Sequence, residues 1–308
     1  MKISIMGAGA MGSIYGGALS EKNEVWLVDV WEEHIEAIKS SGLKIRVGEE
    51  DKVYRLNATI SAQEAGVSDL VIVFVKSVNT AEALQQNKAL FGANTMVLTL
   101  QNGYGNAEDI MPYIKPENLF VGTTSGGATT LGPGHVFQAR IGLTRIGVVK
   151  GGDFSRAGVI VDVLNESGFT SEASEDVLNA IWEKLLVNSG LNALLALLNA
   201  RNAFIGESEQ ALELGKRLLK EGIAVAKAEG YDFSADEIAR QYYIEGVKGS
   251  IGHNRCSMLQ DVEKRRKTEV ERINGAIAEL GKKHGIPVPL NEAMALMIGA
   301  KEMLYNWE

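Results

Sequence analysis

The stretch Lys2–Ser13, KISIMGAGAMGS, decides the fold of the first half of the chain. The run KISIM predicts a strand that leads directly into the G-x-G-x-x-G pattern GAGAMG, and a helical pattern follows from about Ala10 to Ser20. In such a turn the first glycine permits the tight bend, the second lets a pyrophosphate approach the backbone, and the third lets the helix pack on the strand. The helix N-terminus also attracts the phosphate charge. The residues predicted to hold a dinucleotide here are Gly7, Gly9, Ala10, Met11 and Gly12.

Asp29 follows the second predicted strand, Glu24–Val28, about 20 residues beyond the glycines. An acidic residue at this place usually accepts hydrogen bonds from the ribose hydroxyls of NAD and repels the 2′-phosphate of NADP. The segment VWEEH after Asp29 offers no Arg or Lys to hold that phosphate. Asp29 therefore favours NADH, while NADPH stays open, and a second possible role of Asp29 is to cap the next helix.

Short apolar runs alternate with helical patterns through the first half. The predicted strands are Lys2–Met6, Glu24–Val28, Leu70–Val75, Met96–Leu100 and Leu119–Thr123. This alternation predicts an α/β fold whose N-terminal domain is a Rossmann-type, doubly wound parallel sheet. The Gly- and Thr-rich stretch 126–149 predicts an antiparallel hairpin that closes this domain.

Helical periodicity dominates from about Ser174 onward. The predicted helices are Ile181–Leu198, Leu212–Glu229, Ala235–Tyr243, Glu269–His284 and Leu290–Tyr305. We therefore predict a dinucleotide-binding Rossmann domain at residues 1–170. An all-helical substrate and catalytic domain is predicted at residues 171–308.

Composition excludes several classes of partner. The net charge of -8 and the absence of a long basic run argue against nucleic acid. No apolar stretch reaches the roughly 18 residues of a membrane span, so no membrane partner is expected. The single cysteine, Cys256, suits a reducing cytoplasm. The four histidines lack ligand spacing, so no metal is expected; they are His34, His135, His253 and His284.

Two polar residues follow predicted strands at the edge where open α/β sheets bind ligands. Lys76 comes directly after LVIVFV, and Asn102 follows MVLTLQ and opens the turn NGYG. We predict that both residues face the bound ligands. The alternatives are a solvated surface lysine and an ordinary Asn-Gly turn.

A polar stripe interrupts the apolar helix around EKLLVNSGLNALLAL. Lys184, Asn188 and Asn192 lie four residues apart, which places them on one side of the helix. A helix this apolar must be largely buried, and buried amides without partners cost about 1–3 kcal/mol each, so a ligand with oxygen atoms could satisfy them. A desolvated lysine also has a lowered pKa, which suits proton donation near neutral pH. A solvent-facing stripe is the alternative.

Ser257 and Glu269 are both predicted to start helices, because Ser257-x-x-Gln260 and Thr268-x-x-Glu271 read as capping boxes. We therefore expect a break near residues 266–267, which would let Ser257 and Glu269 reach one small ligand. Capping alone is the alternative role for both.

Together these segments resemble the ketopantoate reductase family over nearly the whole length. The matching motifs are GAGAMG, VKS around Lys76, QNGYG around Asn102, GPGH with TRIG, WEKLLVNSGLNAL around Lys184, and NRCSMLQDV with KTEVERINGAI. The resemblance implies that Lys184 is the general acid that protonates the ketone oxygen and that Glu269 hydrogen-bonds the new hydroxyl. It implies that Asn102 holds substrate and nicotinamide, and that Lys76 contacts the cofactor. The substrate-binding residues that it implies are Asn102, Asn188, Asn192, Asn254 and Ser257.

The resemblance also implies the reaction, which is the reduction of a small 2-keto acid, with 2-dehydropantoate to (R)-pantoate as the leading candidate. A homodimer is a common assembly in this family. Asp29 departs from the basic residue that NADPH-dependent members carry, which keeps open an NADH-dependent D-2-hydroxyacid dehydrogenase acting on other 2-keto acids. A β-hydroxyacid dehydrogenase is disfavoured by the NRCSMLQD and TEVERINGAI segments. A non-catalytic NAD(P) sensor is disfavoured by the retained Lys184 and Glu269.

Overall fold

The computed structural model describes residues 1–249 and 252–307. Contacts divide them into two compact units. The first unit holds Met1–Gln101 and Asn106–Leu178. The second holds Asn102–Gly105 and the described residues from Asn179 onward. Residues 171–173, which our prediction gave to the second domain, form a strand in the sheet of the first unit.

The first unit is built on a ten-stranded mixed sheet. Its strands are β1 (Lys2–Met6), β2 (Glu24–Val28), β3 (Leu43–Val47), β4 (Glu50–Tyr54), β5 (Asn57–Thr59), β6 (Leu70–Val73), β7 (Met96–Thr99), β8 (Leu119–Gly132), β9 (His135–Val148) and β10 (Ser171–Ala173). The strand order is β4-β3-β9-β8-β7-β6-β1-β2-β5, and β10 pairs with β9. Neighbouring strands are parallel all along one part of this order, which consists of β8, β7, β6, β1, β2 and β5. This parallel part confirms the Rossmann-type sheet.

The helices of both units follow in chain order. They are α1 (Ala10–Leu19), α2 (Glu32–Ser41), α3 (Ala62–Ala65), α4 (Thr80–Gln86), α5 (Asn106–Ile110), α6 (Ala157–Glu166), α7 (Val177–Leu198), α8 (Phe204–Glu207), α9 (Glu209–Ala228), α10 (Ala235–Ile238), α11 (Ser257–Glu263), α12 (Asn274–His284) and α13 (Pro289–Met303). The first six cover or connect the sheet, and the others build the helical unit, as the sequence predicted.

The central strands explain why the sequence reads as it does. All four residues of β6 are buried, because apolar side chains pack on both faces of the sheet. β1 lies between β2 and β6, so the glycine turn after Met6 begins inside the parallel part of the sheet and not at its edge. The amide of Gly7 donates to the carbonyl oxygen of Val28 at 2.9 Å, which holds this turn beside the end of β2.

The predicted hairpin is present and longer than expected. β8 and β9 pair antiparallel from Phe120–Val148 to Gly132–His135, with register shifts along the way. The short β3–β4 hairpin, which was not predicted from the sequence, extends the sheet beyond β9. Gly48, at φ +62°, forms its turn, and glycine tolerates that left-handed conformation.

By length and mean hydropathy, α7 is the one helix in residues 1–249 and 252–307 that could cross a membrane. Its large side chains are instead packed in the core of the second unit. The buried ones include Trp182, Leu185, Leu186, Leu194 and Leu195. The apolar character of α7 is therefore explained by the core that it forms.

Two predicted helices of the second unit are interrupted. The helix expected over Ala235–Tyr243 begins as α10 and widens into a π-helical stretch at Ala239–Glu245. The helix expected over Glu269–His284 is split, because Val270–Arg272 form a 3-10 turn and Ile273, at φ -113° and ψ -88°, breaks the helical path before α12.

The break between Ser257 and Glu269 is confirmed, but both capping boxes were wrong. α11 ends at Glu263, and its N-cap is Cys256, so Ser257 is the first helical residue, and no side chain of the described residues caps the helix. The hydroxyl of Thr268 accepts from the amide of Val270 at 3.2 Å, whereas a capping box would require the amide of Glu271. A hydroxyl near a helix start can serve several neighbouring amides, so the sequence alone misplaced the cap.

Candidate active site

The glycine turn of the first unit has the shape that a dinucleotide requires. Gly7 has φ +101°, and a Cβ atom there would lie 2.5 Å from the backbone nitrogen of Val75. A Cβ at Gly12 would lie 1.9 Å from the carbonyl oxygen of Gly7, so this position also excludes a side chain. Apart from its chain neighbours, no described residue lies within 4 Å of a Cβ built on Gly9, the N-cap of α1, so a phosphate could approach the backbone there. Ala10 and Met11, the other predicted cofactor contacts, form the first turn of α1.

Asp29 is fixed against this turn by two backbone amides. Its Oδ2 accepts from Ala8 N–H at 2.6 Å, and its Oδ1 accepts from Trp31 N–H at 2.9 Å. The N-cap of α2 is Trp31, so Asp29 does not cap that helix directly. A carboxylate charge thus stands at the end of β2, beside the glycine turn.

Lys76 lies at the same edge of the sheet as Gly7 and Asp29, because it follows β6, the neighbour of β1. The side chain of Gln101 holds its segment by donating to the carbonyl of Val75 at 2.7 Å and to the hydroxyl of Thr80 at 2.8 Å. Lys76 itself is half-buried. The predicted cofactor residues of the first unit therefore form one edge.

Lys184 lies on α7 and is half-buried. Burial lowers its pKa to about 8, and the Glu269 carboxylate opposes that shift by stabilising the charged form. An ammonium group with such a pKa is charged at neutral pH and can still release its proton readily. Lys184 and Glu269, 85 positions apart in the sequence, are thus electrostatic neighbours.

Asn102 joins the same group of residues. Its Nδ2 donates to Oε2 of Glu269 at 3.4 Å, and Tyr104 N–H donates to the carbonyl of Arg272 at 2.9 Å. The segment Asn102–Gly105 therefore lies along the turn that carries Glu269. Gly103 is required for this, since its φ is +87° and a Cβ there would lie 2.6 Å from the Arg272 carbonyl oxygen.

The amides of Asn188 and Asn192 continue the polar stripe of α7 from Lys184. Asn192 is buried and Asn188 is half-buried. Within the described part of the chain, neither side chain has a hydrogen-bond partner. Unpaired amides beside Lys184 fit the predicted substrate contacts.

Asn254 and Ser257 are exposed and lie just before and at the start of α11. The carbonyl of Asn254 accepts from Asn202 N–H at 3.0 Å. The Cys256 thiol lies 3.6 Å from the Asn192 carbonyl oxygen, which ties this segment to the polar stripe of α7. Asn202 was not predicted, and its buried Oδ1 has no partner among the described residues. The signal that could have found it is its place in LNARN, just past the end of α7.

The helical unit also contains a buried pair of asparagine side chains that was not predicted from the sequence. Asn274, the first residue of α12, donates to the Ser189 carbonyl on α7 at 2.9 Å and to Oδ1 of Asn291 at 3.0 Å. Asn291 donates to Oε2 of Glu221 at 2.9 Å, and the Glu221 carboxylate also accepts two amides at the start of α13. Both asparagines are fully buried, so four helices share one hydrogen-bond network.

Two family profiles together cover most of the chain. The profile described as ketopantoate reductase PanE/ApbA matches residues 3–151, and that of the PanE/ApbA C-terminal region matches residues 176–302. The chain belongs to the ketopantoate reductase family. The resemblance drawn from the sequence is therefore confirmed.

Relatives named 2-dehydropantoate 2-reductase align along nearly the full chain. The 2-dehydropantoate 2-reductase of Streptococcus pyogenes serotype M1 is 34% identical over 99% of both chains. That of Pyrococcus abyssi is also 34% identical over 99% of both chains. The chain is thus similar to ketopantoate reductases of a bacterium and an archaeon from end to end.

Similar solved structures agree with the fold. A D-mandelate dehydrogenase solved with NADH and anilino(oxo)acetate superposes with a TM-score of 0.92 at 31% identity, covering 99% of both chains. A PanE/ApbA family ketopantoate reductase from Ralstonia eutropha JMP134 superposes with a TM-score of 0.89 at 28% identity over 99% of both. The predicted order of a Rossmann-type sheet followed by helices is confirmed.

Proposed function

We propose that this protein reduces a small 2-keto acid to its D-2-hydroxy acid, with 2-dehydropantoate to (R)-pantoate as the leading reaction. The observation that carries the proposal is the grouping of Lys184, Glu269 and Asn102 in the second unit. A cation with a pKa of about 8 beside a carboxylate and an amide fits acid catalysis at a carbonyl.

In this proposal the residues of α7 act on the substrate oxygen. The ammonium group of Lys184 donates its proton to the ketone oxygen as the carbonyl carbon accepts hydride, and it recovers a proton from solvent after the turnover. The positive charge also stabilises the negative charge that develops on that oxygen, which can contribute several kcal/mol. When bound, the reduced nicotinamide dinucleotide supplies the hydride.

Glu269 and Asn102 orient the reacting groups. The Glu269 carboxylate keeps Lys184 protonated and accepts a hydrogen bond from the new hydroxyl. Asn102 holds the substrate and the nicotinamide in register, which lowers the entropy cost of the encounter. The rest of the substrate is bound by Asn188, Asn192, Asn254 and Ser257. Of these, Ser257 contacts the substrate carboxylate.

The first unit supplies the cofactor site in this proposal. The open backbone at Gly9 accepts the pyrophosphate, and Lys76 contacts the dinucleotide from the neighbouring strand end. The fixed carboxylate of Asp29 supports NADH over NADPH, because it would accept from ribose hydroxyls and repel a 2′-phosphate.

Asp29 also supports a second candidate, an NADH-dependent D-2-hydroxyacid dehydrogenase acting on other 2-keto acids. The similarity to a D-mandelate dehydrogenase solved with NADH is consistent with it. The two candidates share every proposed catalytic residue, so only the preferred substrate separates them.

The proposal extends to the setting of the enzyme. The single cysteine is buried and unpaired, which suits the reducing cytoplasm that we propose as its location. A homodimer stays a prediction, and light scattering of the purified protein would test it.

The decisive experiment is a steady-state assay of the full chain with 2-dehydropantoate and a panel of aliphatic and aromatic 2-keto acids. Each substrate is run with NADH and with NADPH. Lys184→Ala is expected to lower kcat by about 100-fold or more, as for other acid–base groups. The matched control is Lys220→Ala on the exposed side of α9, which should keep full activity. Full kcat in Lys184→Ala, or no turnover of any 2-keto acid by the wild type, would refute the proposal.

A further inference from the structure

A buried histidine lies beneath the glycine turn, far along the chain from the proposed catalytic residues. His34 is on α2 and is fully inaccessible to solvent. Its imidazole contacts the start of α1, the segment after β2 and the turn between β8 and β9. All of these segments belong to the first unit.

The hydrogen bonds of His34 define which ring nitrogen carries the proton. Gly134 N–H can only donate, and it lies 3.0 Å from Nδ1, so Nδ1 must be the acceptor. The proton of the neutral ring is therefore on Nε2, 3.2 Å from the hydroxyl oxygen of Ser13. The Ser13 hydroxyl in turn donates to the Ala8 carbonyl at 2.8 Å. Burial lowers the pKa of His34, against the attraction of Asp29, which agrees with a neutral ring.

These contacts belong to a closed chain of interactions beside the glycine turn. Ala8 N–H donates to Asp29, and Asp29 accepts from Trp31 N–H. The indole of Trp31 stacks on the imidazole of His34, with ring centroids 4.7 Å apart and an interplanar angle of 13°. His34 thus supports Ala8 through Ser13 and supports Asp29 through Trp31.

We propose that His34 is a positioning residue for dinucleotide binding, which holds the Ala8 peptide and the Asp29 carboxylate in the geometry that the pyrophosphate and the adenosine ribose require. The proposal rests on the nicotinamide cofactor of the proposed function. Its physical basis is preorganisation, because a turn that is already fixed loses less conformational freedom when the ligand binds. His34 does not touch the reacting atoms in this proposal, so it affects binding and leaves the chemical step unchanged.

The test separates the two ring nitrogens. His34→Gln can place an amide near Nε2 and keep the link to Ser13, whereas His34→Phe keeps a ring against Trp31 but removes both hydrogen bonds. We expect His34→Phe to raise the Kd for NADH about tenfold, the size of one lost net hydrogen bond, and His34→Gln to restore most of the affinity. Fluorescence titration of NADH with the full chain measures both without any substrate.

A smaller substitution tests the same link. Ser13→Ala should weaken NADH binding to a similar extent as His34→Phe. Ser20→Ala is its matched control, because the Ser20 hydroxyl donates to the Gly17 carbonyl at 2.7 Å just past the other end of α1. Ser20→Ala should leave the Kd unchanged. Because Ser13→Ala removes one atom, it tests the proposal even where His34→Phe does not fold.

Two further measurements distinguish positioning from general loosening of the fold. ADP-ribose carries the pyrophosphate and ribose without the nicotinamide, so its Kd should rise by the same factor as that of NADH. At saturating NADH, kcat should stay within about twofold of the wild type, since an unaltered chemical step changes ΔG‡ by under about 0.4 kcal/mol.

Each outcome has a clear meaning. Equal NADH affinity in wild type, Ser13→Ala and a folded His34→Phe overturns this proposal and leaves the proposed function intact. A wild-type protein that binds neither NADH nor ADP-ribose overturns the proposed cofactor as well. A fall in kcat with unchanged Kd would also overturn the positioning role.

Discussion

The lowered pKa of Lys184 predicts how kcat/KM for the reduction changes with pH. The protonated form donates the proton, and the pKa is lowered to about 8, so kcat/KM should be constant below pH 8 and fall as the pH rises through that value. The Glu269 carboxylate raises this pKa, so Glu269→Gln should lower it further and move the fall in kcat/KM to lower pH. A pH–rate profile of both proteins measures the shift. Glu271→Gln, at an exposed site two positions on, is the control and should leave the profile in place.

Asp29 carries a separate prediction about the choice of cofactor. Asp29→Asn removes the negative charge while one side-chain oxygen can still accept from Ala8 or Trp31. Two charges about 4 Å apart in water repel by about 1 kcal/mol, so the ratio of kcat/KM for NADH over NADPH should fall about fivefold or more. Measuring that ratio with one substrate tests it. A ratio that does not change would mean that Asp29 plays no part in excluding the 2′-phosphate.

In the NGYG turn, the need for glycine at position 103 can be tested against a closely matched control. Gly103 and Gly151 both have φ +87°, but only at Gly103 would a Cβ meet another segment, the Arg272 carbonyl oxygen at 2.6 Å. Both Gly→Ala changes impose the same left-handed strain, roughly 1–2 kcal/mol. We expect Gly103→Ala to lower kcat about tenfold or more, because a misplacement near 1 Å can cost as much as 100-fold. Gly151→Ala should keep its kcat, and equal losses in the two variants would show that the contact with Arg272 has no catalytic importance.

The elements also show what a single sequence can predict and why. β6 was found because both of its faces are buried, so nearly every residue is apolar, and the α7 stripe was found because its spacing of four matches the helix repeat. The π-helical stretch after α10 and the break at Ile273 were missed, because the local sequence there is ordinary for a helix and tertiary packing decides the path. Asn274 was missed for a related reason: its partners on α7 and α13 are remote in sequence.

At the scale of the whole molecule, the Asn274 network makes a prediction about stability. Asn274→Ala removes two hydrogen bonds and leaves the Asn291 side chain with a buried, unpaired oxygen. The free energy of unfolding should fall by about 2–3 kcal/mol, since an orphaned buried polar group costs about 1–3 kcal/mol in addition to the lost contacts. Denaturant unfolding of the full chain measures this change. In a double-mutant cycle, Asn274→Ala and Asn291→Ala together should cost less than the sum of the two, whereas strict additivity would mean that the two asparagines act independently.

The general architecture was predictable for the whole chain, because the strand–helix alternation and the helical second half both have clear periodic patterns. The candidate site was predictable only in part. Lys184, Glu269 and Asn102 could be named from motifs, but their proximity depends on the turn at Val270–Arg272, which no periodic pattern specifies.

The segment Asn102–Gly105 belongs to the second unit although the residues on both sides of it belong to the first. The two units are therefore not separable by cutting the gene at one place. A fragment that begins at Asn179 would lack the Asn102 side-chain amide, which donates to Glu269, and the Tyr104 N–H, which donates to the Arg272 carbonyl. In a chimaera that exchanges the helical half for that of a relative at one junction, these four residues come from the other parent, so the NGYG turn and the turn that carries Glu269 no longer share one origin.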